Sequence, residues 1–253
     1  MKTVLITGAT SGIGMEFGRR YAAMGYRLIL VGRRTERMDA FEKETGAKVR
    51  KITKDISTTE ACKELLQEVE NETIDIFINN AGFGTTGLFT ETDMDKEIRM
   101  IAVNDTAMHI LFKGILQKME KQGGGQILNV ASSAGLFPAG PYMATYYASK
   151  AYMTSLTRAV AFELKQKKSP VTVSALCPGP VDTEFNQNAD VSFALKGISP
   201  QYCVDVCLKG MARKKVIIVP TFSLKLLIFI QRLLPMGFIL SVVSHQQKKK
   251  IYK

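Results

Sequence analysis

The chain has 253 residues, 46% of them hydrophobic, which is enough to build one large α/β domain whose sheet is covered on both faces. Its 34 lysines and arginines outnumber its 23 acids, and the excess reads as spread along the chain, with local concentrations at Arg33-Arg34, Lys165 to Lys168, Arg213 to Lys215 and Lys248 to Lys250. None of these is interleaved with aromatic residues as a single-strand-binding face would be, so a nucleic-acid partner is disfavoured.

Thr3 to Thr7 reads as a short buried strand that runs into Gly8-Ala9-Thr10-Ser11-Gly12-Ile13-Gly14, and a helical pattern follows through Phe17, Tyr21 and Met24. A strand, a glycine turn and a helix start suit phosphate binding, because glycines let the backbone approach a pyrophosphate and the helix start offers unpaired N–H groups and a favourable dipole. Ile13 and Gly14 stand where a triphosphate-binding loop needs Lys and Ser or Thr, so that class is disfavoured. Phe17 stands where the last glycine of Gly-x-Gly-x-x-Gly would fall, leaving Gly-x-x-x-Gly-x-Gly.

The predicted elements continue as strand 26–31, helix 35–45, strand 48–53, helix 58–70, strand 74–78, one long helix over about 91–119 and strand 125–131. Helix 144–167, strand 170–177, helix 200–210 and strand 215–219 complete the series. Strict alternation of this kind predicts a single doubly wound, Rossmann-type parallel sheet with helices on both faces, spanning residues 1–220. The second strand ends in Val31-Gly32-Arg33-Arg34, about twenty residues after the glycine turn. An acid at that point would bind the ribose hydroxyls of NAD, whereas Arg33 suits the extra phosphate of NADP, so NADP(H) is expected over NAD(H).

Tyr146 and Lys150 lie four residues apart within the predicted helix 144–167, and Ser133 precedes the tyrosine by thirteen. On a helix the phenol and ammonium share a face, and the cation is expected to lower the phenol pKa toward neutrality for acid/base work. Taken alone, such a pair is also found on ordinary exposed helix faces.

These segments together resemble the short-chain dehydrogenase/reductase family in its classical branch. The carriers of the resemblance are Thr7-Gly8 to Gly12-x-Gly14, Asn79-Asn80-Ala81-Gly82, Asn104 in a Val-Asn pair, Ser133 with Tyr146 and Lys150, and Pro178-Gly179-Pro180-Val181-Asp182-Thr183, in that order from Thr3 to about Val219. The resemblance implies hydride transfer between a nicotinamide cofactor and a secondary alcohol or ketone. Tyr146 would be general acid or base, Ser133 would hold the substrate oxygen, Lys150 would tune the tyrosine and bind the ribose, and Asn104 would support a water chain to Lys150. It further implies that the loop Gly8, Thr10, Ser11, Gly12, Ile13 and Gly14 cradles the cofactor. Asp55 would meet the adenine with the Ile56 backbone beside it, and Asn80, Ala81 and Gly82 would pass the ribose. Val181 and Thr183 would hold the nicotinamide carboxamide, with Pro178 and Gly179 also on the cofactor. Many NADP-using relatives carry a basic residue where this chain has Ser11. Ser132 and Tyr147 are chemically equivalent neighbours, set aside because Ser132 departs from the family spacing and Tyr147 from the four-residue phase with Lys150.

Cys62, Cys177, Cys203 and Cys207 form no Cys-x-x-Cys pair, His109 and His245 are scattered, and no metal site is expected. With no signal peptide visible, the expectation is a cytoplasmic enzyme that forms a homodimer or homotetramer. Glu184 to Ser199, with Phe185, Val191, Phe193 and Leu195, is expected to close over a lipophilic carbonyl or alcohol, with Phe83, Leu136, Phe137, Pro138 and Met143 as further candidates for the cavity wall. Residues 221–253 form a hydrophobic, basic extension that Lys225, Gln231, Arg232 and Pro235 interrupt, so two short amphipathic helices are expected rather than a membrane span. Packing on the domain or a partner subunit is favoured there over contact with a membrane surface. A cofactor-binding sensor without turnover is the alternative of a different class, and the intact Ser, Tyr and Lys argue against it. A sugar-nucleotide epimerase is disfavoured by the gap between Gly8 and Gly12.

Overall fold

Val4, Leu5 and Ile6 have no polar side chain to offer water, and all three are fully buried in β1 (Thr3–Thr7). The computed structural model describes residues 1–184 and 197–251, and builds around this strand a seven-stranded sheet in the order β3-β2-β1-β4-β5-β6-β7. The strands are β2 (Arg27–Gly32), β3 (Val49–Thr53), β4 (Ile76–Asn79), β5 (Gly125–Val130), β6 (Val171–Leu176) and β7 (Ile217–Ile218), and every pairing is parallel. The doubly wound parallel fold expected from the alternation is therefore the one observed.

Parallel neighbours need crossover helices, and these cover both faces. Because strand side chains alternate, Leu5, Ile29 and Phe77 face α3 (Thr59–Glu68), α5 (Met108–Lys121) and α6 (Ala144–Gln166) in one core layer. Val4, Ile6, Leu28 and Leu30 face α1 (Gly12–Ala23), α2 (Thr35–Thr45) and α7 (Pro200–Ala212) in the other. All four cysteines are buried and unbridged, and among the described residues no cluster of metal-ligating side chains forms.

Two elements differ from expectation. The predicted helix over 91–119 starts at Met94, where the Asp93 carboxylate caps α4 (Met94–Ile101), and a six-residue π-helical segment (Ala102–Ala107) joins it to α5. That widened turn carries Asn104 into the interior, as π segments at functional sites commonly do. The last strand shrinks to Ile217–Ile218 at the sheet edge, between Lys214 in the left-handed region (φ 53°) and Pro220, which cannot donate to a ladder.

The extension forms α8 (Phe222–Ile230), a 3₁₀ turn (Gln231–Leu233) and α9 (Met236–Ile251), two helices as expected. Among the described residues no helix is long and apolar enough to cross a membrane. The segment with Phe185, Val191, Phe193 and Leu195, expected to close over the substrate, lies outside the described residues.

The chain runs outward from β1 to β3 and then returns to β4 on the other side of β1. The crossovers therefore diverge between β1 and β4, and their carboxyl ends, Thr7-Gly8 and Asn79-Asn80, open the crevice where sheets of this kind bind ligands.

Candidate active site

The glycine turn is held from behind. The Thr7 hydroxyl accepts from the Asn80 and Ala81 backbone N–H groups at 3.0 and 3.2 Å, and the Asn80 amide donates to the Thr7 and Gly8 carbonyls at 3.0 Å each. Gly8 sits at φ 64°, and a Cβ on Gly14 would lie 2.4 Å from both the Asn80 amide nitrogen and the Gly8 carbonyl oxygen, so neither position accepts a side chain. Asn80, expected beside a ribose, is thus first a brace between β4 and the glycine turn. Ser11 stands in extended conformation ahead of α1 with no side-chain capping bond, and Ile13 packs on the core.

From this turn a cleft of about 850 Å³ runs along the carboxyl ends of the strands. All of the expected cofactor and catalytic residues line it except Gly14 and Asn104, which lie behind its wall. At one end Arg33 is 77% exposed and lies 3.8 Å from the Asp55 carboxylate. The Asp55 carboxylate also accepts from the Ser57 N–H at 3.0 Å, closing the turn after β3. Sequence reasoning missed the arginines beside it. Arg34 donates to the Thr10 hydroxyl and carbonyl at 3.2–3.3 Å, and both Arg34 and Arg37 pair with Glu184, whose carboxyl they hold below its usual range, Arg37 most. The spacing Arg33-Arg34-x-x-Arg37 across the start of α2 was the available signal.

At the middle of the cleft Tyr146 is 8% exposed and packs against Met100, Ala134 and Met143. Two expectations are corrected here. The hydroxyl that acts on the Tyr146 phenol is that of Ser132, where Ser133 was expected. Ser132 is the extended residue (φ −166°, ψ 161°) that caps a 3₁₀ turn over Ser133–Leu136, while Ser133 already belongs to that turn and donates its backbone N–H to the Pro178 carbonyl at 2.8 Å. Spacing along a chain counts loop residues, whereas the end of β5 decides which hydroxyl faces the phenol.

The second correction concerns charge. Burial pushes the Tyr146 phenol up to about 12 rather than down, with the Ser132 hydrogen bond opposing. The Lys150 ammonium lies 5.9 Å from the ring centroid and donates to the Val130 carbonyl at 3.0 Å. Burial in turn lowers Lys150 to about 8, against the pull of Asp105. Helical spacing put the two groups on one face, but burial dominates both shifts and neither group figures among the causes of the other's.

Asn104 is fully buried; its amide donates to the Phe83 carbonyl at 2.9 Å and the Ser149 hydroxyl at 3.1 Å, and its oxygen accepts from the Phe83 N–H at 3.1 Å. The side chain clips the loop after β4 in place. Its neighbour Asp105, unremarked in the sequence, sits close enough to feel Lys150, and burial pushes its carboxyl up to about 6. Asn79 is likewise structural, donating to the Met108 carbonyl and to Asn129 in a buried chain that passes through Thr157 to the Met153 carbonyl.

The far wall of the cleft is apolar. Phe83, Phe137 and Met143 line it, together with Leu227, Leu234 and Phe238 from the extension. Leu136 instead packs on the core and offers its carbonyl to Gln231 at 2.7 Å. Gln247 donates to the Tyr147 hydroxyl at 2.7 Å, which separates the two neighbouring tyrosines: Tyr147 serves the extension. The two glutamines, 6% and 4% exposed, fasten the extension to the serine turn and to α6. Gln231 read in the sequence only as an interruption of an apolar run.

A nicotinamide dinucleotide fits the residues present. Side chains at Gly8 and Gly14 would disrupt the turn, Gly12 lies 3.2 Å from Thr183 at the position of an absent Cβ, and Val181 is fixed by a parallel bridge to Ile198. Comparison with known proteins agrees. The family model described as "short chain dehydrogenase" matches residues 2–192. D-beta-hydroxybutyrate dehydrogenase of Rhizobium meliloti is 32% identical, with 86% of this chain and 87% of the relative covered. 3beta-hydroxysteroid dehydrogenase of Mediterraneibacter gnavus is 33% identical over 79% of this chain and 74% of its own. Among solved structures, a short-chain dehydrogenase from Sphingobium yanoikuyae in complex with NADPH superposes with a TM-score of 0.81 at 30% identity, covering 88% of this chain and 89% of that one.

Proposed function

Since the chain belongs to the short-chain dehydrogenase family and is an oxidoreductase of hydroxyl and carbonyl groups, we propose that it uses NADP(H) and interconverts a lipophilic secondary alcohol with its ketone. The observation that carries this reading is the position of the buried Tyr146 with the half-buried Ser132, where the glycine-lined groove meets the apolar wall. The bound cofactor supplies a hydride to the carbonyl carbon or removes one from the alcohol carbon.

The protein's own part is to hold the oxygen and move one proton. With its phenol pushed up to about 12, Tyr146 keeps its proton at neutral pH, the form needed to protonate a developing alkoxide during reduction. Ser132 places a second hydroxyl at the same point, where charge accumulates only in the transition state. Lys150, buried behind them, sets the local potential and faces the expected ribose position.

Two features support NADP(H). No carboxylate ends β2, and among the described residues the 77%-exposed Arg33 has a loose contact with one acid, Asp55. The NADPH held by the Sphingobium yanoikuyae neighbour agrees. The wall of Phe83, Phe137, Met143, Leu227, Leu234 and Phe238 supports a bulky apolar substrate, and the steroid named for the Mediterraneibacter gnavus relative is of that class.

A panel of hydrophobic ketones followed by NADPH absorbance tests the reading. Tyr146→Phe is expected to lower kcat/KM by about 10²–10⁴-fold while NADPH binding, read by fluorescence, stays unchanged. Undiminished turnover in that variant would remove Tyr146 from the mechanism.

A further inference from the structure

Half of the large apolar side chains exposed among the described residues come from the short stretch between Phe222 and Val242. In α8 only Ile228 is buried, while Phe222 is 77% exposed, Phe229 62% and, just beyond it, Leu233 75%. A helix that is apolar on every side belongs in an apolar medium, and a soluble surface rarely displays so large a contiguous patch without a use for it.

Charge identifies the medium. Residues 221–253 contain Lys225, Arg232, Lys248, Lys249, Lys250 and Lys253 and no Asp or Glu, so six of the eleven excess positive charges belong to this extension. Along the sequence, the excess that reads as dispersed over the chain is thus concentrated in the same extension that carries the exposed apolar side chains, with Lys225 in α8 and Arg232 in the turn after it. A two-fold contact between copies would set this surface against itself, cation facing cation. An anionic bilayer satisfies both halves of the pattern: headgroups meet the cations, and acyl chains cover the phenylalanines and leucines.

We propose that α8, the Gln231–Leu233 turn and α9 form a docking surface for an anionic lipid membrane, lying in its interface rather than crossing it. The same helices wall the cleft, and Leu227, Leu234, Phe238 and Val242 are both exposed and part of its lining. The rim therefore opens onto the patch, and an apolar substrate dissolved in the bilayer reaches Tyr146 without crossing water. This delivery route rests on the lipophilic-substrate reading above; the docking itself does not.

Flotation of the full chain with vesicles separates the outcomes. Binding is expected on phosphatidylcholine mixed with phosphatidylglycerol, falling about tenfold on phosphatidylcholine alone or in high salt. The double variant Phe229→Ser/Leu233→Ser changes two exposed side chains outside the cleft lining and should lose binding about tenfold. Its thermal unfolding and its turnover of a water-soluble ketone should stay as in the parent. Lys225→Glu/Arg232→Glu should abolish the preference for anionic vesicles.

The proposal is overturned if the parent floats with neither vesicle, floats equally with both, or is unaffected by the serine pair. A parent that avoids vesicles and is a dimer split by the serine pair would make the patch a self-interface, which also overturns it. Absence of turnover on every ketone would count against the oxidoreductase reading and leave the vesicle result standing.

Discussion

The two ends of the cleft are built from different material. At the β1–β4 end the wall is the backbone of the glycine turn, with Gly8 held from behind by Thr7 and the Asn80 amide at hydrogen-bond distance and Gly14 packed behind it with no room for a Cβ. At the opposite end the wall is side chain, from Phe83 after β4 to Phe238 in α9, and each residue there can change size without disturbing a strand. A backbone wall recognises what every dinucleotide shares, and a side-chain wall recognises what differs between substrates. The sharpest way to break this contrast is Gly14→Ala. Its Cβ would meet a carbonyl oxygen and an amide nitrogen at 2.4 Å, so a stability loss of about 3 kcal/mol and no measurable NADPH binding are expected from denaturant unfolding and fluorescence titration. A variant that still binds NADPH would show that the turn is softer than the contrast requires.

The same contrast explains what could be read from the chain alone. Strand order, the glycine turn and the cluster of Tyr146 with Lys150 rest on local rules of periodicity and backbone conformation, which short motifs carry. Ser132 escaped because two adjacent serines differ only in where a strand ends, a fact of three-dimensional geometry. Asp105 escaped because its significance depends on a π-helical turn that brings it into the field of Lys150. Gln231 and Gln247 escaped because a polar residue in an apolar run looks like a break until its partner, the Leu136 carbonyl or the Tyr147 hydroxyl, is known. The rise of the Tyr146 phenol escaped for the same reason, since desolvation is a property of the packed state.

Next in size is the serine pair, which tests whether geometry or spacing chooses the oxygen-holding hydroxyl. Ser132→Ala is expected to lower kcat by about 10²-fold with NADPH affinity intact, and Ser133→Ala to leave kcat little changed. The reverse ranking in steady-state kinetics would restore Ser133 to the site. A smaller effect sits at the cofactor end, where Arg33→Ala should weaken NADPH by about ten- to a hundredfold, the worth of a charge-assisted hydrogen bond to phosphate, without changing NADH. Equal losses for both cofactors in parallel titrations would mean that Arg33 does not read the phosphate and would shift attention to Arg34 and Arg37, released from Glu184.

The smallest expected effect probes the buried charge between the two ends. Burial raises the Asp105 carboxyl to about 6, with Lys150 opposing, so the folded chain holds that proton more tightly than the unfolded chain, where a carboxyl titrates near 4. The stability contributed by the protonated form is complete below about pH 4 and is lost as pH rises through about 6. Asp105→Asn removes the ionisation, so its melting temperature should exceed the parent's by roughly 2–4 °C at pH 7.5, with the gap closing toward pH 4. Its second consequence reaches the chemistry. Asp105 helps hold Lys150 up against burial, so without that negative charge the lysine should release its proton at lower pH, shifting the alkaline limb of the kcat/KM profile downward. A variant whose melting gap is constant across pH, and whose rate profile is unmoved, would show that Asp105 is uncoupled from Lys150 and that the π-helical turn serves only to place Asn104.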